Sequence, residues 1–201
     1  MGLWVIALYG VYAALGVCLR LWIQRRRTGS AGFKVLRAKP FSIAWIAVTI
    51  LAVAALGGIA GAILDAAGIM RPFAALDSRL GHIAGVFVFL SALATQFYSQ
   101  TAMGDSWRIG VDQNECPALV TRGPFAFVRN PIYSAAAVMS IALFLVLPNI
   151  LMTCSMVAQT LGVELQVRGV EEPYLLSNHD QMYRDYASRV GRFVPFVGRL
   201  R

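Results

Sequence analysis

Long apolar stretches dominate this chain of 201 residues and set what it can fold into. A bilayer core about 30 Å thick is crossed by about 20 apolar residues in a helix, because lipid offers the backbone no hydrogen-bond partner. Three stretches have that length: residues 3–23, 41–64 and 83–103. Only 14% of the residues are charged, against roughly 25% in a soluble domain. We therefore expect an integral, multi-pass membrane protein.

A fourth apolar stretch, residues 132–163, is too long for one span and is interrupted by Pro148 and Asn149. Proline disfavours helix in the residue before it, and Asn tolerates turn geometry. The stretch therefore predicts a helical hairpin of two short spans. The predicted fold is all-α, with about five transmembrane helices and a cytoplasmic C-terminal helical segment. We expect one membrane domain over residues 1–201, with three spans in 1–103 and the hairpin with its C-terminal segment in 104–201.

The distribution of Lys and Arg predicts the orientation in the membrane. The first connection contains Arg25, Arg26, Arg27, Lys34, Arg37 and Lys39, whereas the second contains only Arg71 and Arg79. Cytoplasmic loops carry the excess of basic residues, so we expect the N-terminus outside and the C-terminus in the cytoplasm. The net charge of +8, which in a soluble protein would suggest nucleic acid as a partner, is explained by this topology and by anionic lipid.

Residues 119–133, directly before the hairpin, are rich in aromatic and turn-forming side chains. Asn130 followed by Pro131 predicts a helix start, with Asn at the cap and Pro at the first helical position. Such an end presents free N–H groups and a partial positive charge to an anion. The alternative is that the segment only begins the fourth span and binds no ligand.

Two adjacent acids, Glu171 and Glu172, follow the hairpin directly. Both legs of a hairpin open on the same face of the membrane, so we expect Tyr133 to lie close to Glu171. The alternative is a solvated helix start, since acidic residues are common in first turns. For Glu164, the spacing predicts an ion pair with Arg168.

Common catalytic motifs are absent from the sequence. HExxH, GxSxG, P-loop and GxGxxG patterns do not occur, which excludes the usual hydrolases, kinases and soluble dinucleotide-binding domains. Cys18, Cys116 and Cys154 have no CxxC spacing, so no metal site is indicated. We expect Cys18 and Cys154 to be small buried apolar side chains.

The C-terminal half resembles the integral membrane methyltransferases typified by isoprenylcysteine carboxyl methyltransferase, and residues 103–111 are similar to bacterial-type members. The family pattern is LVTxGPYxxxRHPxY, a helical hairpin, then EExxL, YxxY and RVxxxxP. The matching residues here are 119–133, Glu171, Glu172 and Leu175, Tyr183 and Tyr186, then Arg189, Val190 and Pro195. The chain departs from the pattern at Asn130, where the family has His, and at Phe125, where it has Tyr.

The resemblance implies S-adenosylmethionine as the cofactor, bound by the hairpin and the C-terminal segment rather than by a Rossmann sheet. Glu171 suits the cofactor's ammonium group, and Leu119 and Val120 suit its adenine. The implied cofactor contacts are Pro117, Leu119, Val120, Phe125, Asn130, Pro131, Tyr133 and Glu171.

The implied reaction is methyl transfer to a lipophilic, membrane-embedded acceptor, foremost the carboxylate of an isoprenoid-like or prenyl-cysteine-like molecule. A carboxylate is ionised at neutral pH and needs no base, and Arg168 could hold it bidentately. The family's substrate arginine has the register of Val167 here, one residue before Arg168. For an amine or thiol acceptor, Glu172 or Glu164 could take the proton. Arg168 and Glu172 are therefore the predicted catalytic residues.

Three alternatives stay open from the sequence. One is a phospholipid or small-molecule N- or S-methyltransferase. Another is an NADPH-dependent membrane reductase, because sterol reductases resemble this fold. The last is a non-enzymatic membrane scaffold in which Arg168 and Glu171 only anchor helix ends at the interface.

Overall fold

Helices make up the regular structure of this computed structural model, which describes residues 1–32, 39–110 and 118–200. The first helix, Gly2–Thr28, is continuous and comprises α1 (Gly2–Val11), a π-helical segment (Tyr12–Cys18) and α2 (Leu19–Thr28). The following elements are α3 (Ile43–Ala66), α4 (Arg79–Ala102), α5 (Pro131–Val146), α6 (Ile150–Gln166), a π-helical segment (Val167–Glu171) and α7 (Glu172–Arg189). The predicted all-α fold is confirmed.

Within the described residues, four helices are long and apolar enough to cross a membrane, and α5 is a shorter apolar helix. Large side chains on their outer faces are exposed, as at Leu56, Phe87 and Leu161. This confirms an integral membrane protein with four to five apolar helices. The last helical stretch, Ile150–Arg189, has 40 residues and is kinked within α7 at Asp180, whose φ is 34°. The part before this kink alone would span about 45 Å at 1.5 Å per residue, which exceeds the bilayer core of about 30 Å. We therefore assign α6 to the membrane and the polar α7 to the region beyond it.

The predicted hairpin is present between α5 and α6. Asn149 in its turn is completely buried. Its Oδ1 accepts a hydrogen bond from the Met152 N–H at 2.9 Å, which caps α6, and its Nδ2 donates to the Gly61 carbonyl at 3.3 Å. The turn is thus fixed both by its own cap and by α3.

Small residues on α3 allow close approach of its neighbours. A Cβ atom on Gly58 would lie 2.0 Å from the Tyr9 hydroxyl, and one on Gly61 would lie 2.9 Å from the Leu151 Cβ. Gly57 has open space around it. Gly58 and Gly61 therefore need to be glycine, whereas Gly57 does not.

Buried apolar side chains form two clusters. The larger one joins α1, α3, α4, α5 and α6 within the membrane, and the smaller one is built on α7 around Tyr183, Tyr186 and Ala187. Cys18 and Cys154 are exposed on helix surfaces, so the prediction that they are buried is wrong. Lipid solvates an apolar thiol as well as a protein core does, which is why hydropathy alone could not distinguish the two.

Candidate functional site

A hydrogen bond joins the two segments that flank the hairpin. The Tyr133 hydroxyl, near the start of α5, donates to Oε1 of Glu171, and Gln166 Nε2 donates to the same oxygen at 3.2 Å. Glu171 closes the π-helical segment after α6, and such π segments occur frequently at functional sites. The predicted proximity of Tyr133 and Glu171 is confirmed.

A cavity of about 530 Å³ opens beside this hydrogen bond and extends between the membrane helices. Its volume lies in the usual range for ligand sites, about 300–1,000 Å³. The lining is mostly apolar, as at Ile59, Phe89, Leu143 and Val163. This chamber, called the larger cavity below, suits a lipophilic ligand.

A second cavity of about 120 Å³, called the smaller cavity, lies at the α7 end of the bundle. Leu119, Val120 and aromatic residues of α7, including Tyr174 and Tyr183, line it. Both cavities share the lining residues Met103, Arg108, Phe125, Arg129, Glu171 and Leu175. The two chambers therefore adjoin, and the shared residues form their junction.

The predicted cofactor contacts that lie within the described residues all line one of these cavities. Leu119 and Val120 line the smaller one, Asn130, Pro131 and Tyr133 the larger one, and Phe125 and Glu171 both. Pro117 lies outside the described residues. Asn130 is the residue before α5, as predicted, but its side chain makes no capping bond and instead donates to the Arg192 carbonyl at 3.2 Å.

A buried cluster of Arg129, Glu172 and Arg192 lies next to the junction, with Arg129 in the cavity lining. Glu172 Oε1 accepts from Arg129 Nη2 at 2.6 Å, and its Oε2 lies 2.8 Å from Arg192 Nη2. The remaining Arg129 N–H groups reach the carbonyls of Ala187, Val190 and Gly198. The cluster thus fastens the chain after α7 against the segment that begins α5.

The charges of this cluster stabilise one another. Burial alone would raise the pKa of Glu172, but hydrogen bonds from Arg192 and Arg129 outweigh it and hold that pKa below its ordinary value. The same hydrogen bond from Arg192 raises the pKa of its guanidinium. Glu172 is therefore ionised and fully engaged by two arginines.

The two predicted catalytic residues lie away from the cavity linings. Arg168 pairs with Glu164 through its Nε atom, its side chain is 59% exposed, and it lines neither cavity. The predicted Glu164–Arg168 ion pair is confirmed. Glu172 lines neither cavity either. The catalytic roles of Arg168 and Glu172 stay predictions. The arginines that line the junction are Arg108 and Arg129.

Sequence reasoning did not assign a role to several residues that the structure brings to the cavities. Met103 and Arg108 lie at the junction, and Gln96 and Gln100 line the larger cavity from α4. One signal was available: two glutamines four residues apart in an apolar span share one helix face, and polar side chains inside a membrane face the protein interior. Among the described residues, no group of three His, Cys, Asp or Glu side chains could hold a metal ion.

The structure is an all-helical membrane fold with two adjoining cavities, the smaller one at the α7 end. Residues 80–182 match the phospholipid methyltransferase family, and the chain belongs to that family. A solved structure with a similar fold is the eukaryotic intramembrane Ras methyltransferase ICMT (isoprenylcysteine carboxyl methyltransferase). The TM-score is 0.66 at 21% identity, over 98% of this chain and 69% of that one. No curated protein sequence matches the chain.

The predicted resemblance is confirmed by these two matches, and the protein is a membrane methyltransferase. Family membership favours methyl transfer over the reductase and the scaffold that the sequence left open.

Proposed function

We propose that the protein transfers the methyl group of S-adenosylmethionine to a lipophilic acceptor. The cofactor would extend from the smaller cavity across the junction toward Asn130, Pro131 and Tyr133, and the acceptor would occupy the rest of the larger cavity. The observation that carries this proposal is the junction: the chambers share Glu171 and Phe125. Two molecules that fill them would meet there. Methyl transfer by displacement requires mainly that the nucleophile and the methyl carbon are aligned and that water is excluded.

The residues of the smaller cavity fit the cofactor chemically. S-adenosylmethionine supplies an activated methyl group on a sulfonium. The Glu171 carboxylate complements the positive charges of the ammonium and the sulfonium, and the Tyr174 ring can face a cation. Leu119 and Val120 offer apolar surface to adenine. Tyr133 holds Glu171 in place through its hydroxyl group.

We propose a carboxylate as the acceptor group, held at the junction by Arg108. Its side chain lines both cavities, and a guanidinium binds a carboxylate bidentately. An ionised carboxylate oxygen forms the new bond to the methyl carbon while the carbon–sulfur bond breaks, so no proton has to be removed. The apolar lining of the larger cavity suits an isoprenoid-like or prenyl-cysteine-like chain.

A second candidate, favoured by the family match, is N-methylation of a phospholipid-type amine. An amine loses a proton on methylation, and a carboxylate near the junction would have to take it. Glu171 lines the junction, which favours it for this role over the predicted Glu172.

We further propose that the α7 end faces the cytoplasm of a bacterial inner membrane, with the N-terminus outside. Basic residues are frequent on the connections at this end, as in the run Arg25, Arg26 and Arg27. A water-soluble cofactor would then reach the smaller cavity from the cytosol, and the acceptor would reach the larger one from the bilayer.

Calorimetry with the purified full chain tests the cofactor. We expect S-adenosylmethionine to bind and NADPH not to bind; binding of NADPH alone would overturn the proposal. Incubation with host lipids and methyl-labelled cofactor then tests the acceptor. Methyl esters release labelled methanol on alkaline treatment, whereas N-methyl groups keep the label, so the outcome separates the two candidates.

A further inference from the structure

The chain after α7 folds back along the start of α5. The carbonyl of Arg192 accepts a hydrogen bond from the Asn130 N–H at 3.1 Å, and the carbonyl of Phe193 accepts one from the Ser134 hydroxyl at 2.7 Å. Asn130 directly precedes α5, and Ser134 lies in its first turn. This C-terminal loop therefore runs in the direction of α5, toward the interior of the membrane.

The length of α5 sets the depth that the loop reaches. α5 has 16 residues, about 24 Å, which is shorter than the hydrocarbon core of about 30 Å. Because α5 leads from this end of the bundle to the hairpin turn at the other end, its first turn lies at the edge of the core. Phe193 is bonded to that turn, so the residues that follow it lie at the boundary between acyl chains and headgroups.

The tip of the loop, residues 194–197, presents apolar side chains outward. Three of them are more than half exposed: Val194, Phe196 and Val197. The Arg192 N–H donates to the Val197 carbonyl at 2.8 Å, and a Cβ on Gly191 would lie 2.1 Å from the Val194 carbonyl oxygen. The tip is therefore held in this shape by close contacts with the base of the loop.

The backbone of the tip is strained at Phe196. The Val197 N–H donates to the Val194 carbonyl at 3.1 Å, which closes a turn with Pro195 in its second position and Phe196 in its third. Phe196 has a φ of 67°, as in a type II turn, whose third position favours glycine or asparagine. A bulky side chain at positive φ is an outlier, and such strain clusters at functional positions. The exposed ring at this position therefore points to a contact outside the protein.

Positive charge accompanies the tip. Residues 190–201 carry three arginines and no acid. Glu172 neutralises one of them, Arg192. Another, Arg199, is exposed, and its Cζ atom lies 5.0 Å from the centre of the Phe196 ring. An apolar ring beside an exposed guanidinium is complementary to the surface of a leaflet that contains anionic lipid.

We propose that the tip inserts into the leaflet at the α7 end, with Phe196 among the acyl chains and Arg199 at the phosphates of anionic lipids. The inference does not depend on the methyl-transfer reaction. The base of the same loop supplies Arg192 to Glu172. Contact of the tip with lipid therefore favours the ordered loop and, with it, the buried cluster beside the junction.

Spin-label accessibility in nanodiscs measures the depth of the tip. The full chain, with its three native cysteines replaced by alanine, carries one label introduced through Phe196→Cys or Val197→Cys. Oxygen concentrates among the acyl chains, whereas a nickel chelate stays in water. Met182→Cys is the matched control, because Met182 is an exposed apolar residue beside the kink of α7 at Asp180. Phe87→Cys, on the exposed membrane face of α4, is the lipid reference.

Both labels in the tip should be more accessible to oxygen than to the nickel chelate, like the label at position 87. The label at position 182 should show the reverse. Tip labels that behave like the one at position 182 would overturn the proposal. Tip labels that neither reagent reaches would also overturn it, because they would show that protein rather than lipid covers the tip.

Hydrogen exchange tests the part played by anionic lipid. The amides of Arg192 and Val197 are hydrogen-bonded within the loop. One arginine at an anionic surface contributes about fivefold in binding, so these amides should exchange about fivefold more slowly in nanodiscs that contain anionic lipid than in zwitterionic ones. Arg199→Gln should abolish this difference. Arg184→Gln, which changes an exposed arginine of α7 paired with Asp180, should keep it.

These variants replace exposed side chains, so each should keep the wild-type melting temperature, which thermal unfolding checks. Equal exchange rates in the two kinds of nanodisc would overturn the proposal. A lipid effect that survives in Arg199→Gln would overturn it as well.

Discussion

Tyr133 and Glu171 are 38 residues apart in the chain, and the hydroxyl of the first donates a hydrogen bond to the carboxylate of the second. The bond spans the open end of the α5–α6 hairpin and orients an acid at the junction of two cavities. Gln166 donates to the same oxygen. The carboxylate is therefore held by groups from both legs of the hairpin, which is the preorganisation that recognition of a cationic ligand requires.

Glu171→Gln should weaken binding of S-adenosylmethionine by about tenfold to a hundredfold, the effect of losing one charged hydrogen bond. Tyr133→Phe, which keeps the acid but removes its positioning hydroxyl, should weaken binding by about threefold to tenfold. Calorimetry measures both. Tyr98→Phe is the control, since Tyr98 is exposed and lines neither cavity. Wild-type affinity in both test variants would place the cofactor elsewhere.

Glu172→Gln should lower the free energy of unfolding by about 3 kcal/mol, because two arginines would lose their buried counter-charge. The loss should depend on pH. The pKa of Glu172 is held below its ordinary value, so its contribution is complete above the unfolded pKa of about 4.3 and is lost as pH falls through the lower folded pKa.

Thermal unfolding across pH measures this contribution. The difference in melting temperature between wild type and Glu172→Gln should be largest above about pH 5 and should shrink below about pH 4. Asp185→Asn is a suitable control on the exposed side of α7. A difference that grows on acidification would contradict the role assigned to the cluster.

Arg108→Gln should raise the KM for a carboxylate acceptor by about tenfold or more, because the charged hydrogen bonds to the acceptor are lost. Arg168→Gln tests the sequence-based prediction beside it. Arg168 is exposed and paired with Glu164, so we expect that variant to retain nearly wild-type kinetics. Initial rates with labelled cofactor measure both variants. A KM that rises in Arg168→Gln and stays unchanged in Arg108→Gln would show that Arg168 binds the acceptor.

Asn149→Ala should destabilise the protein by about 1–2 kcal/mol, since it removes the cap of α6 and the bond to the Gly61 carbonyl. Thermal unfolding measures the change. Asn178→Ala on α7 is a matched control, because its amide donates to the Tyr174 carbonyl one turn earlier on the same helix. Equal stability of the two variants would show that the hairpin turn does not depend on its cap.

The hairpin and the pairing of Tyr133 with Glu171 could be predicted because both follow from local signals: a proline-asparagine break and the return of the chain to the same face. The roles around Glu172 could not. Whether an acid at a helix start meets solvent or two arginines depends on how the chain after α7 folds back, and Arg192 is 20 residues away. The sequence also could not show that Arg108 lines the cavities and Arg168 does not. Which arginine lines a cavity depends on how the helices pack and not on the residue type.

The π-helical segment Tyr12–Cys18 has a consequence for the helix that contains it. Before this segment the buried residues Gly2, Val5 and Leu8 are three apart, whereas from Leu8 onward the buried residues are Leu8, Gly16, Arg20 and Gln24, at intervals that are multiples of four. A regular helix turns 3.6 residues per revolution, so a strict four-residue spacing would drift around its surface. The wider turn compensates for that drift and keeps one stripe facing inward from the apolar core to the carbonyl of Gly104, which Arg20 reaches at 2.8 Å. From Leu8 to Gln24, tolerance to substitution should therefore alternate with a period of four residues.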